Sequence, residues 1–529
     1  MNCKSIILLI VVLLFWGNAE ARKKKGKKVE EVQTESAYRK FFKGKACETA
    51  KGMITLHKMD GRVYFEIPLA LMGREMLMGS TISEITNNGF GSVGEKPKGL
   101  LYISFVRCDS VISLKQLTAQ YDTNEENLKQ RIKESTIPAT IKNFKITTYN
   151  EDSTAVVIDM TDYLVSADEA IDPFSPWAPI LTGGERVMEK EFRRENSQVV
   201  SIKAFEDNVS VKSSLTYGLS LKNKVMYIFQ REPFTAVMTR SFILLPEHPM
   251  RPRLADPRIA IFSQGVSVFN GDSRGAQARY YAQRWNLEPK DMEQYRKGVL
   301  TEPKKPIVFY VDNTFPENWK KYIKEGVEVW QMAFEKIGFK NAIVARDFPV
   351  DDVTFDPDNL KYSCVRYSPS WVANAMGPSW TDPRTGEIIN ASVYLYHNLV
   401  KMVQNWRFIQ TGPADANVRK IVFDEETLGE CIRYVVSHEI GHCLGFMHNM
   451  AASSAIPVDS LRSPSFTQKY GTTYSIMDYA RNNYVAQPGD KEKGVKLTPP
   501  DLGLYDLFTV AWSYTPLPEQ KHPRKRFQF

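Results

Sequence analysis

Apolar and polar residues alternate with a period of two through much of the first half of the chain. Residues 53–59 (MITLHKM) and 62–68 (RVYFEIP) flank Asp60-Gly61. Two alternating runs around an Asp-Gly pair predict a β-hairpin. Further runs at 100–106, 144–149, 154–160, 199–205, 209–217, 224–231 and 236–245 read as strands, several joined by short Asn/Asp-rich turns. Such a series predicts an antiparallel, mostly β region. Residues 246–304, rich in Pro, Arg and Gly, read as a connector.

The pattern changes at 305. Residues 307–311 are a short apolar run, then Pro316 opens a helical stripe of Trp319, Tyr322, Ile323, Trp330, Ala333, Phe334 and Ile337, closed by Gly338. Residues 341–346, 361–367 and 387–396 read as strands. Strand, helix, strand marks an α/β unit and a new domain. The expected fold class is therefore α+β and multi-domain, an antiparallel β N-terminal region followed by an α/β domain. The expected division is 1–21 leader, 22–45 basic linker, 46–98 small β domain, 99–304 β-rich domain with connector, 305–515 α/β domain and 516–529 basic tail.

Composition narrows the class. Hydrophobic residues make up 43% and charged residues 25% of 529, which excludes a mainly disordered or fibrous chain. Lys4, the apolar run 6–16 and Ala19-Glu20-Ala21 have the layout of a secretory signal peptide cleaved after Ala21. The run is too short to span a bilayer, so no transmembrane helix is expected after cleavage. The formal net charge is +8, but residues 22–28 hold six cations and no acid, and residues 516–529 hold four cations against Glu519. The body is about neutral, so no nucleic-acid partner is expected. Beyond the leader stand Cys47, Cys108, Cys364, Cys431 and Cys443, an odd number that leaves at least one thiol unpaired within the chain.

The chemistry concentrates in residues 438–448, His-Glu-Ile-Gly-His-Cys-Leu-Gly-Phe-Met-His. They lie on an expected helix that Asp424 caps and that buries Leu428, Ile432, Val435 and Val436. His438 and His442, four residues apart, leave one helix face a turn apart, a spacing that suits two ligands of one Zn²⁺. Gly445 can turn the chain back in the left-handed conformation, so that His448 completes the metal set. Three imidazoles leave a coordination position open, as in catalytic zinc sites. Glu439 points to the open side as general base.

This segment resembles the signature of the metzincin metallopeptidases, HExxHxxGxxH, and the Met-containing turn of that family has its counterpart at Ser475-Ile476-Met477-Asp478-Tyr479. The resemblance covers about 305–515 and implies that Met477 is an apolar floor beneath the zinc and not a ligand. It implies for Tyr479 an approach to the zinc or the oxyanion, with an ordinary packed tyrosine as the alternative. It implies that the strand after Thr385-Gly386-Glu387 is the edge strand that takes up the peptide, a plain interior strand being the alternative, and that residues 501–512 form a closing helix. Asn449 matches none of the best-known metzincin families, which leaves specificity open. The layout is similar to large secreted bacterial metzincins with N-terminal domains of unknown function, and this implies a chain that runs on beyond the closing helix.

The expected function is a secreted zinc endopeptidase acting on proteins or peptides in the periplasm, at the surface or outside a bacterial cell. A catalytically silent zinc-containing binding scaffold and a zinc amidase acting on a non-peptide amide stand as alternatives. Residues 22–304 read as an inhibitory prodomain or a binding module. An inhibitory thiolate from Cys47 or Cys108, an aspartate switch in Phe269-Asn270-Gly271-Asp272, and a Ca²⁺ site at Asp351, Asp352, Asp356 and Asp358 are weaker expectations. Against them stand buried thiols, an ordinary turn and a solvated acidic loop.

Overall fold

The computed structural model describes residues 35–517, apart from 177, 179, 181–184, 272–274 and 499–501. The expected signal peptide, residues 22–34 of the basic linker, Asp272 and residues 518–529 of the basic tail lie outside the described residues.

The hairpin at Asp60-Gly61 forms as the sequence predicts. Both turn residues have positive φ, 53° and 72°, the requirement of a type I′ turn that matches strand twist. Its strands, Thr55–Met59 and Arg62–Pro68, join one twelve-stranded sheet, whose pairings are all antiparallel. The sheet curls until its ends meet. Met53 N–H donates to Phe205 O at 2.7 Å and Lys58 Nζ to Val200 O at 2.6 Å. Phe65, Phe105, Tyr217 and Phe242 fill the interior. The expected domain boundary at 98/99 falls inside this sheet, since strand Glu75–Ile85 pairs with both Leu101–Cys108 and Tyr227–Leu244. The separate runs expected at 224–231 and 236–245 form one strand, Tyr227–Leu244.

Glu75–Ile85 itself gave no alternating signal. Every residue from Met76 to Ser83 is buried, because the inner face meets the curled core while Gly79 on the outer face meets Leu360 of the C-terminal domain. A strand covered on both faces has no polar side to reveal its period.

The C-terminal sheet runs Ile343–Asp347, Ile307–Val311, Ser363–Ser368 and Ile388–Tyr396, all parallel. Antiparallel pieces Ala375–Met376 and Ser379–Thr381 then pair with the far side of Ile388–Tyr396. The expected edge strand is therefore interior, and the edge is residues 375–381, because the chain doubles back after Ser368. The helix opened by Pro316 is two pieces, Glu317–Glu328 and Gln331–Glu335, with Trp330 fully buried between them.

The expected Ca²⁺ site is corrected. Asp356 and Asp358 are buried and serve the contact between the two regions. Lys212 Nζ lies 3.5 Å from Asp356 and 3.3 Å from Asp358, and Arg366 lies 3.1 Å from Asp358. These carboxylates are neutralised by lysine and arginine, which removes the charge a cation would need. Asp352 accepts instead from Thr354.

The connector is not a loose link. Ile261 pairs with Phe446, Phe262 N–H donates to Gly445 O at 2.8 Å, and Met447 N–H donates to Ala260 O at 3.0 Å. Ile259, Ile261, Ala282 and Leu287 belong to the same buried core as Phe309, Trp330 and Ile440.

Candidate metal centre

The helix Glu425–Cys443 delivers the first two histidines. Asp424 caps it by accepting Thr427 N–H at 2.9 Å, and Glu425 and Glu426 sit favourably in its first turn. Ile432, Val436, Ile440 and Cys443 are buried in the core, which fixes the rotation of the helix and so the face from which His438 and His442 leave. Gly445 then has φ 96°, and a Cβ there would stand 2.2 Å from Gln283 O. Both the left-handed conformation and the passing connector therefore require glycine.

The three Nε2 atoms converge. His448 Nε2 lies 3.1 Å from that of His442 and 3.2 Å from that of His438. Two nitrogens bound tetrahedrally at ~2.0–2.1 Å from zinc stand ~3.3 Å apart, so the donor set fits. The tautomers also fit. His438 Nδ1 faces Ile476 O and His442 Nδ1 faces Phe446 O, each at 2.7 Å. Each Nδ1–H donates to its carbonyl, and the Nε2 lone pair is left toward the centre. Burial pushes His438 down to about 3 and His442 down to about 4 and also lowers His448, which favours the neutral ligand form. No other group of three His, Cys, Asp or Glu among the described residues is arranged to hold a metal.

Glu439 is buried beside the histidines, and burial pushes its carboxyl up to about 8 against a stabilising N–H from Gly377. A bound dication opposes that shift. A Cβ on Gly377 would stand 2.2 Å from Glu439 O, so the edge strand presses directly onto the helix at this residue.

Met477 packs against the metal-bearing helix at Gly441. A Cβ on Gly441 would meet its Sδ at 2.2 Å, and Asn449 N–H donates to Met477 O at 3.0 Å. Asp506, buried on the closing helix Leu504–Tyr514, holds this turn. It accepts Ser475 Oγ at 2.7 Å, Ile476 N–H at 2.8 Å and Gly503 N–H at 2.7 Å. Ile476 O is the acceptor for His438, so Asp506 orients a ligand through one intervening residue. Trp330 Nε1 and Trp285 Nε1 each donate at 2.9 Å, to Ser437 O and Cys443 O of the helix.

The centre opens into a cleft of about 710 Å³. Phe262, Met376, Met402, Trp406, Tyr434 and Met447 give it largely apolar walls, and Gln283, Tyr479 and Arg481 also line it. The Tyr479 ring centroid is 4.5 Å from that of His448 and 5.6 Å from that of His438. Of the groups predicted from sequence, His438, Glu439, His442, His448 and Tyr479 line the cleft, while Met477 and Gly445 support it from behind.

Cys47 and Cys108 do not line it. Cys47 lies 3.8 Å from His57, and Cys108 accepts from Ser113. Nor do Phe269 or Gly271: Phe269 stacks on Tyr121 and Gly271 N–H donates to Glu125. Sequence reasoning missed Phe262, Gln283, Gly377, Trp406, Arg481 and Asp506. Only Arg481 carried a local signal, a cation two residues after Tyr479.

Residues 420–528 match a family profile described as Met-zincin. Residues 96–290 and 35–85 match two profiles, each described as a domain of unknown function. No curated protein and no solved structure matches the chain. The C-terminal part thus carries a Met-zincin domain with a zinc-binding histidine triad, the outfit of a zinc metalloprotease in general.

Proposed function

We propose that the protein is an exported zinc endopeptidase, with Glu439 as its general base. The observation that carries this reading is the convergence of three Nε2 atoms beside a buried carboxylate in an open cleft. Zinc held by His438, His442 and His448 supplies a Lewis acid that polarises a carbonyl and acidifies water.

The chain's own residues do the rest. The edge strand 375–381 is outermost in its sheet, so an extended peptide can add to it by backbone pairing, with its side chains on the apolar walls. Gly377 N–H orients the Glu439 carboxylate. That carboxylate takes a proton from the attacking water and returns it to the leaving amine. The Tyr479 hydroxyl, on a ring beside His448, donates to the oxygen on which charge develops. Residues 35–304 are in this reading a permanent part of the enzyme, since their connector supplies Phe262 and Gln283 to the cleft. Export rests on the leader-like residues 1–21.

Cleavage of casein by the full chain tests the reading. It should stop when zinc is chelated and return on adding stoichiometric zinc. A zinc-loaded protein that cleaves neither casein nor a peptide library would instead be a silent scaffold.

A further inference from the structure

Apart from Tyr434 and Tyr479, the charged or titratable side chains lining the cleft are the three histidines, Glu439 and Arg481. The reaction occupies the first four. Arg481 has no such task, yet it is held in place. Its guanidinium carbon lies 3.7 Å from the ring centroid of Trp406 and 5.2 Å from that of Tyr479. The two residues just beyond it are anchored by their side-chain amides. Asn482 donates to Gln410 at 2.8 Å, and Asn483 donates to Leu461 O at 2.7 Å and Lys496 O at 2.9 Å.

Stacking occupies the faces of a guanidinium and leaves its N–H edge to bind. Other arginines of this domain spend that edge on protein oxygens: Arg407 pairs with Asp415 at 3.1 Å, Arg462 pairs with Asp490 at 2.7 Å, and Arg419 donates to Gly412 O at 2.6 Å and Pro413 O at 2.8 Å. No carboxylate among the described residues pairs with Arg481; its contacts are with rings. The cleft therefore holds one pre-oriented cation without a counter-ion, on the turn that also carries Tyr479.

We infer that Arg481 forms a carboxylate-binding subsite of the cleft, taking an aspartate or glutamate side chain, or a free C-terminal carboxylate, of a peptide substrate. The inference rests on the peptidase reading and gives it a substrate class. A planar carboxylate can accept two N–H bonds from the guanidinium edge, an interaction stronger and more directional than a neutral hydrogen bond. The expected preference over the corresponding amide is about 10- to 100-fold in kcat/KM.

The test uses zinc-loaded full-length protein and peptides carrying Asp or Glu, Asn or Gln, or Lys at each position around the scissile bond, each with a free or amidated C-terminus. Wild type should favour acid at one position, or the free terminus, and the arm that responds identifies the source of the carboxylate. Arg481→Gln should flatten that preference. Arg481→Glu should turn it toward Lys at the same position. A purely structural Arg481 would lower turnover of all peptides alike and leave their ratios unchanged. That result, or a wild type indifferent to acid and to amidation, overturns the subsite.

Anisotropy of labelled peptides on zinc-loaded Glu439→Gln protein, with and without Arg481→Gln, separates the subsite from the peptidase reading. If wild type cleaves nothing, the peptidase reading fails and binding alone decides. Acid-selective binding lost in the double variant supports the subsite; unselective binding overturns it.

Discussion

Glu439→Gln should keep its zinc and lose turnover by about 10²- to 10⁴-fold, the usual worth of a positioned general base. The substitution preserves the volume of a buried side chain and leaves an oxygen to accept the Gly377 N–H. It does not touch His438, His442 or His448, whose Nδ1 partners and Nε2 convergence come from other elements. What it removes is the ability to take and return a proton. Steady-state cleavage of a fluorogenic peptide, with zinc content measured on the same sample, reads both quantities. Activity within tenfold of wild type at full zinc occupancy would show that another group is the base.

The second large effect concerns the first 304 residues. A chain beginning at residue 305 should fail to form a stable, zinc-loaded domain. Ile259, Ile261 and Leu287 are buried in the same core as Phe309, Trp330 and Ile440. Burial of such side chains is worth about 2 kcal/mol apiece, and a domain has only about 5–15 kcal/mol in all. The truncation also deprives Cys443 O, next to His442, of Trp285 Nε1, and Gly445 O, on the turn between His442 and His448, of Phe262 N–H. Expression of the fragment, followed by thermal melting and a zinc assay, measures the loss. A soluble fragment more active than the full chain would mean that residues 35–304 are an inhibitory prodomain.

The same contacts explain what could be read from the sequence. The metal site was legible because its spacing is local. Four residues on a helix place His438 above His442 whatever surrounds them, and a glycine three residues on permits the turn to His448. The hairpin at Asp60-Gly61 was legible for the same reason, its turn chemistry lying in adjacent residues. The strand Glu75–Ile85 was hidden because its outer face is covered by the other domain. Asp356 and Asp358 read as part of a solvated acidic loop or, more weakly, a cation site; they are neither, because Lys203 and Lys212, their partners, stand about 150 residues earlier in the chain. Phe262, Gln283 and Asp506 reach the site through contacts of long sequence separation that no local pattern encodes. Of the two alternatives for the strand after Thr385-Gly386-Glu387 the interior one holds, and the true edge went unread because residues 375–381 are too short and irregular to register as a strand.

X-ray absorption at the zinc edge, on full-length protein loaded with one equivalent of zinc, tests the central claim most directly. Three imidazole nitrogens at ~2.0–2.1 Å are expected, and their outer-shell signal should fall by one ring in His448→Ala. A sulfur shell at ~2.3 Å, or a spectrum unchanged by that substitution, would contradict a centre built from His438, His442 and His448.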